Sequence, residues 1–273
     1  MLSPNGFDVS VDRHPAPFYR PADDEIDVFT AASRRGLPVL IKGPTGCGKT
    51  RFVEAMAHRL GRELITVAGH EDMTSADLVG RFLLQGGETV WVDGPLTRAV
   101  RTGAICYLDE IVEARQDTTV VIHPLADHRR ELPLDRLGTS LPAAPGFQLV
   151  ISYNPGYQSV LKNIKESTRQ RFIAIELGFP PADVETDVVA REAGIDADTA
   201  ARLVRLGNAI RHLDGSPLRE VASTRMLILA GGLVAEGLPL RSAVRSAMVC
   251  ALSDDPNVVA ALGELADAVL APN

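Results

Sequence analysis

The apolar run Leu37-Pro38-Val39-Leu40-Ile41 leads into Gly43-Pro44-Thr45-Gly46-Cys47-Gly48-Lys49-Thr50, the pattern GxxxxGKT. A strand, a glycine-rich turn and a helix start in that order make a phosphate-binding loop and commit the chain to an α/β fold. The glycines let backbone N–H groups curl inward around a β-phosphate, where side chains would clash. The N-terminus of the following helix adds unpaired donors and the positive end of its dipole. Lys49 would then reach the β- and γ-phosphates, and the Thr50 hydroxyl would ligate Mg2+. The loop predicts binding of a nucleoside triphosphate.

Four more short apolar runs follow: Leu64-Ile65-Thr66-Val67, Ala104-Ile105-Cys106-Tyr107-Leu108, Phe147-Gln148-Leu149-Val150-Ile151-Ser152 and Phe172-Ile173-Ala174-Ile175. They alternate with helical segments, among them 23–35 and 51–60. Together with 39–41 they predict a five-stranded parallel sheet covered on both faces. Gly178-Phe179-Pro180-Pro181 breaks this rhythm, and beyond it only amphipathic helices are expected, over 183–193, 198–211, 223–236, 240–251 and 257–270. The expected organisation is an irregular, proline-rich arm over 1–20, an αβα core over 21–178 and a small all-helical lid over 179–273.

One connection departs from the pattern. Arg81-Phe82-Leu83-Leu84-Gln85 and Glu88-Thr89-Val90-Trp91-Val92 flank Gly86-Gly87, a two-residue turn suited to a type I′ hairpin with Phe82 opposite Trp91. It falls where a helical connection between two strands is expected. Either it is a decoration whose tryptophan packs locally, or it touches a partner or client through Phe82, Leu84 and Trp91.

Composition excludes several functions. A net charge of −7 and a pI near 5.4 leave no basic stripe for nucleic acid. Aromatic content of 5% also disfavours base-stacking platforms. Cys47, Cys106 and Cys250 are far apart, with no CxxC spacing, as expected of a reduced chain without disulfides or structural zinc. The first twenty residues contain Asp8 and Asp12 and no apolar core of a signal peptide, and the longest apolar run, 226–235, is too short to span a bilayer. A cytoplasmic protein without membrane insertion is expected.

The chemistry follows the phosphate loop. Ala104 to Leu108 ends in Asp109-Glu110, so a carboxylate at a strand end is available for Mg2+, and its neighbour for polarising a water that attacks the γ-phosphate. Glu113 is expected on the surface. Asn154, after the strand ending Ser152-Tyr153, is a candidate for contacting that water or the γ-phosphate; the alternative is a turn-forming Asn before Pro155. Ser167-Thr168-Arg169-Gln170-Arg171-Phe172 places two guanidiniums before the fifth strand, suited either to neutralising developing phosphate charge in trans or to a solvated turn. Ser223 is a candidate N-cap, and Arg225 in the same first turn is unfavourable there unless an anion lies nearby. The six histidines have no ligand-like spacing, and Cys47 reads best as a small residue filling the loop.

GPTGCGKT, CYLDE, SYNPG, STRQRF and ASTRM, in this order and spacing, resemble the AAA+ ATPases of the MoxR branch, and more narrowly the CbbQ/NirQ/NorQ group. The similarity runs from about Tyr19 to the C-terminus and includes the more specific stretches GHEDMTSADLVGR, LDEIVEARQDTTVVIHPLADHRREL and VISYNPGYQS. It implies an AAA+ P-loop NTPase with ATP and Mg2+ between core and lid, and a homo-hexameric ring. By that resemblance residues 43–50 are the Walker A loop, Asp109 and Glu110 the Walker B pair, Asn154 sensor 1 and Arg225 sensor 2. Arg171, with Arg169 as second choice, is the arginine finger, and the hairpin is the helix-2 insertion facing the pore or client. Members act with a von Willebrand factor A domain adaptor (CbbO/NorD type). Their client is Rubisco, freed of inhibitory sugar phosphates, or nitric oxide reductase during maturation; the sequence looks slightly closer to the Rubisco type. A nucleic-acid motor and a non-hydrolysing switch are the other readings, disfavoured by acidic charge and by Glu110 with the two arginines.

Overall fold

The computed structural model describes residues 16–111, 118, 120–155, 169–213 and 221–271. Glu113, Ser167, Thr168 and the first fifteen residues of the arm lie outside the described residues.

The described strands are β1 (Val39–Lys42), β2 (Leu64–Ala68), β3 (Gly80–Gln85), β4 (Glu88–Asp93), β5 (Ile105–Asp109), β6 (Glu131–Leu134), β7 (Thr139–Pro142), β8 (Gln148–Tyr153) and β9 (Ile173–Glu176). Five of them form one parallel sheet in the order β2-β5-β8-β1-β9. These five match the sequence-based strands to within about one residue at each end. All six residues of β8 are buried, because it lies between β5 and β1 with both faces covered, which is why it reads as a continuous apolar run.

Alternation along β5 divides its side chains between two cores. Ile105 and Tyr107 pack with Phe29, Phe52 and Met56 under α1 (Glu25–Arg34) and α2 (Lys49–Leu60). Cys106 and Leu108 face Leu78, Leu96 and Val100 of α3 (Ser75–Val79) and α4 (Pro95–Thr102). Burial pushes the Cys106 thiol up to about 12, so it serves as an apolar packing group.

The hairpin β3–β4 pairs Phe82 with Trp91, as the sequence predicts. Gly86 and Gly87 both have positive φ (60° and 89°), the requirement of a type I′ turn. The two rings meet edge-on at 5.3 Å, and Trp91 Nε1 donates to Asp93 at 2.7 Å. Leu84 at the tip is 77% exposed, with Phe82, Val90 and Val92 also exposed. A second antiparallel hairpin, β6–β7, is not evident in the sequence. Pro133 inside β6 argues against a strand on pattern grounds, yet Leu132 and Leu134 are buried in the main core beside Leu141.

The C-terminal helices are α5 (Ala182–Ala193), α6 (Ala197–Arg211), α7 (Thr224–Ala235), α8 (Leu240–Val244) and α9 (Pro256–Val269). From α8 the chain runs on through a π-helical turn, Arg245–Val249, into Cys250–Leu252. These helices have a core of their own, including Leu203, Leu206, Leu227, Met248 and Leu262. Ser223 caps α7 as expected, its hydroxyl accepting the Met226 N–H.

Candidate nucleotide site

Three strand ends converge on one loop. The loop leaves β1 and enters α2 at Lys49, with Gly46 and Gly48 at φ 72° and 103°, conformations that L side chains resist. Lys49 is only 6% exposed, and its ammonium donates to the Gly43 and Pro44 carbonyls at 2.9 and 3.0 Å. The cation is thereby stowed inside the loop. Thr50 Oγ1 lies 3.1 Å from Asp109 Oδ2 at the end of β5. Asn154, just past β8, donates Nδ2 to Thr45 Oγ1 at 3.0 Å. A hydroxyl and a carboxylate in contact beside a glycine loop offer the hard oxygen donors that Mg2+ takes.

Asp109 is itself held from behind. Its Oδ1 accepts from the buried hydroxyls of Tyr107 (2.7 Å) and Ser152 (2.5 Å). Burial, and then the Asp109 charge, push the Tyr107 phenol far above its ordinary range, so it remains a donor. The next residue, Glu110, has φ 51°, a left-handed conformation uncommon for any residue but glycine. Such an outlier costs about 1–3 kcal/mol and persists only when its surroundings over-determine it. Two contacts do so. Ser152 Oγ accepts the Glu110 N–H at 3.2 Å, and Gly69, whose N–H donates to the Asp109 carbonyl at 2.7 Å, packs against the Glu110 backbone. A Cβ on Gly69 would lie 2.5 Å from the Glu110 carbonyl oxygen and 3.0 Å from Ile111 Cα. Gly69→Ala must therefore displace the Glu110 backbone. We expect a loss of about 1–3 kcal/mol in stability, with a larger proportional loss of ATP turnover, read by thermal melting and steady-state kinetics on one preparation.

A cavity of about 520 Å3 opens above the loop between the core and the C-terminal helices. That volume is within the roughly 300–1,000 Å3 of small-ligand sites. Lid residues Thr224, Arg225, Ile228 and Leu229 line it, as do Asp109 and Glu110. A Cβ on Gly46 would meet Ser223 Cβ at 2.6 Å, so the start of α7 sits directly on the phosphate loop. Arg225 is exposed on the cavity wall in the first turn of α7, the arrangement in which a nearby anion relieves its unfavourable dipole position.

The arm supplies a wall that sequence reasoning missed. Phe18, Tyr19 and Arg20 line the cavity. Tyr19 packs on Phe52 at 5.2 Å and donates to Glu25 at 2.7 Å. Burial works against an ionised Glu25, but the N–H groups of Ala22 and Asp23 and the Tyr19 hydroxyl outweigh it and hold the carboxyl below its usual range. On the other side the Arg191 guanidinium lies 4.2 Å from the Phe18 ring centroid, and Arg20 pairs with Asp187. The segment thus ties α2 of the core to α5. The available signal was Tyr19 itself, where the family-like stretch begins. Cys47 is buried with Sγ 3.7 Å from the Leu177 carbonyl, and burial pushes its thiol up, as suits a residue that fills the loop.

The two arginines before β9 do not line this cavity. Arg169 is exposed. Arg171 donates to the His123 carbonyl at 3.2 Å and to Asp127 at 3.4 Å. Hydrogen bonds from Arg129 hold Asp127 well below the carboxylate range, so it faces Arg171 as an anion.

A parallel sheet in this strand order, a phosphate loop after β1, a carboxylate pair ending β5 and a helical unit over the loop define an AAA+ P-loop ATPase. Residues 38–172 match the AAA domain (dynein-related subfamily), and residues 185–269 match the CbbQ/NirQ/NorQ C-terminal family. Protein NorQ of Paracoccus denitrificans is 59% identical over 93% of this chain and 94% of its own length. The denitrification regulatory protein NirQ of Stutzerimonas stutzeri is 58% identical over 90% of each, and protein CbbQ of Hydrogenophilus thermoluteolus 56% over 93% and 96%. The chain belongs to the CbbQ/NirQ/NorQ family of AAA+ ATPases. Among solved structures, the Thermotoga maritima RuvB Holliday junction branch migration motor superposes with a TM-score of 0.51 at 18% identity, over 89% of this chain and 67% of that one; the likeness is one of fold. No helix among the described residues is long and apolar enough to cross a membrane.

Proposed function

We propose that the chain is an ATP-driven motor that remodels a client enzyme as a homo-hexameric ring, with catalysis shared across subunit boundaries. The observation that carries this reading is the separation within one chain of Arg169 and Arg171 from the cavity that holds Lys49, Asp109 and Glu110. In the proposed cycle the 43–50 loop and Lys49 grip the triphosphate of ATP. Thr50 and Asp109 hold Mg2+, which supplies charge neutralisation on the phosphate oxygens. Glu110 orients and deprotonates the attacking water, Asn154 contacts it or the γ-phosphate, and Arg225 reports the nucleotide to the lid. Arg171 or Arg169 of a neighbouring subunit neutralises the developing charge. The hairpin meets the client or pore through the exposed Phe82 and Leu84, with the half-buried Trp91 beside them, and a von Willebrand factor A domain adaptor recruits the client. The chain works in the cytoplasm and does not act on nucleic acid.

The client is Rubisco or nitric oxide reductase. The sequence leans towards Rubisco, but relatives named NorQ, NirQ and CbbQ are equally similar to within three percentage points (59%, 58% and 56%), so both stand. Reconstitution decides between them: purified chain and adaptor are supplied with ATP and either inhibitor-bound Rubisco or immature nitric oxide reductase. ATP-dependent recovery of one enzyme assigns the client, and recovery of neither overturns the remodelling role.

A further inference from the structure

Behind Asp109 and Glu110 lies a pair of hydroxyls, Tyr107 of CYLDE and Ser152 of SYNPG, to which the sequence motifs assign no role. Pairing of β5 with β8 through Leu108 and Ile151 brings Ser152 alongside Asp109 on the next rung. Ser152 is fully buried, and so is Tyr107, two residues before Asp109 on the same face of β5. Their oxygens are 3.1 Å apart, and both donate to a single carboxylate oxygen, Asp109 Oδ1. The other oxygen, Oδ2, is left facing Thr50 and the phosphate loop. Ser152 has a second task, because the same oxygen accepts the Glu110 N–H at a residue with φ 51°.

We infer that Ser152 and Tyr107 are positioning residues for nucleotide hydrolysis: both aim Asp109 at the metal side of the loop, and Ser152 alone also fixes the backbone of Glu110. This rests on the reading of Asp109 and Glu110 given above. A carboxylate with one oxygen saturated by two buried donors cannot rotate or swap its oxygens without breaking both bonds, so Oδ2 is presented in one orientation. Removing the Tyr107 hydroxyl loosens only that aim. Removing the Ser152 hydroxyl loosens it and also leaves a backbone donor without its acceptor at the strained residue.

Ser152→Ala, Tyr107→Phe and, as control, Asp109→Asn are compared in the full chain. Binding of a fluorescent ATP analogue is measured in EDTA and across a Mg2+ titration, with turnover followed in parallel. Both hydroxyl variants should keep the metal-free affinity and raise the half-saturating Mg2+ concentration, by about 10- to 100-fold for Ser152→Ala, as partners of metal ligands typically do. At saturating Mg2+, Tyr107→Phe should regain wild-type turnover while Ser152→Ala stays slow. A merely structural role would lower the melting temperature and leave the Mg2+ curve in place, and that result overturns the inference. If Ser152→Ala does not fold, Tyr107→Phe decides it. A shift in Asp109→Asn without one in the hydroxyl variants removes the positioning role alone; no shift in Asp109→Asn removes the reading of Asp109 as well.

Discussion

Replacing Glu110 by Gln is expected to slow ATP hydrolysis by about two orders of magnitude or more, while ATP still binds. The size follows from what a positioned general base contributes, about 10²–10⁴ in rate. The selectivity follows from geometry: triphosphate affinity comes from the 43–50 loop and Lys49, and Glu110 is not among the groups Lys49 or Thr50 contacts. Gln keeps the length of the side chain, and the left-handed backbone is held by Ser152 and Gly69 rather than by the carboxylate. Single-turnover hydrolysis and equilibrium binding of a labelled nucleotide check this together. Hydrolysis within a few-fold of wild type would remove Glu110 from the role of base, and a parallel loss of binding would mean the loop itself had been disturbed.

The second large effect lies in the lid. Glu185 of α5 is fully buried and forms a two-pronged pair with Arg211 of α6, both bonds at 2.7 Å, with the Arg211 side chain 7% exposed. Thr224, the first residue of α7, donates to the same carboxylate at 2.5 Å. Arg211 also donates to the Ala222 carbonyl at 2.7 Å and stacks 3.8 Å over Phe179, on the link from the core. Three helices and the linker therefore meet on one ion pair next to Ser223 and Arg225. Arg211→Met retains much of the aliphatic volume but strands a buried carboxylate, a loss of about 3–5 kcal/mol. At roughly 2–4 °C per kcal/mol for a chain of this size, the melting transition should fall by about 10 °C, with weaker ATP binding because α7 carries the cavity wall. Calorimetry and nucleotide titration test it; a fall of only a degree or two would show that the pair is replaceable by apolar packing.

The parts of this architecture that could be read from the chain are those in which local pattern and global burial agree. The central strands β1, β5 and β8 are short apolar runs because both their faces are covered. The edge strands β2 and β9 keep an apolar run although several of their residues are exposed, and the phosphate loop is legible because its glycines, Lys49 and Thr50 are contiguous. The β3–β4 turn announces itself through Gly86-Gly87. Pro133 hides β6, since the burial of Leu132 and Leu134 depends on distant partners. Tyr19 and Phe18 sit in a stretch with no periodicity, and only contact with Phe52 and Arg191 makes them part of a cavity. Gly69, Tyr107 and Ser152 fall within family-like stretches of the sequence, but their roles are not legible there, because those roles lie in what Asp109 and Glu110 need from behind, across strands far apart in sequence.

Shared catalysis is tested most directly by complementation. One preparation carries Glu110→Gln and so keeps its arginines; the other carries Arg169→Ala with Arg171→Ala and so keeps its Lys49, Asp109 and Glu110. Each alone should hydrolyse ATP at a small fraction of the wild-type rate. Mixed under conditions that exchange subunits, they should regain turnover, because the first protomer's arginines complete the second protomer's site. A mixture no more active than its parts, or a double-arginine variant that turns over at the wild-type rate, would contradict the account.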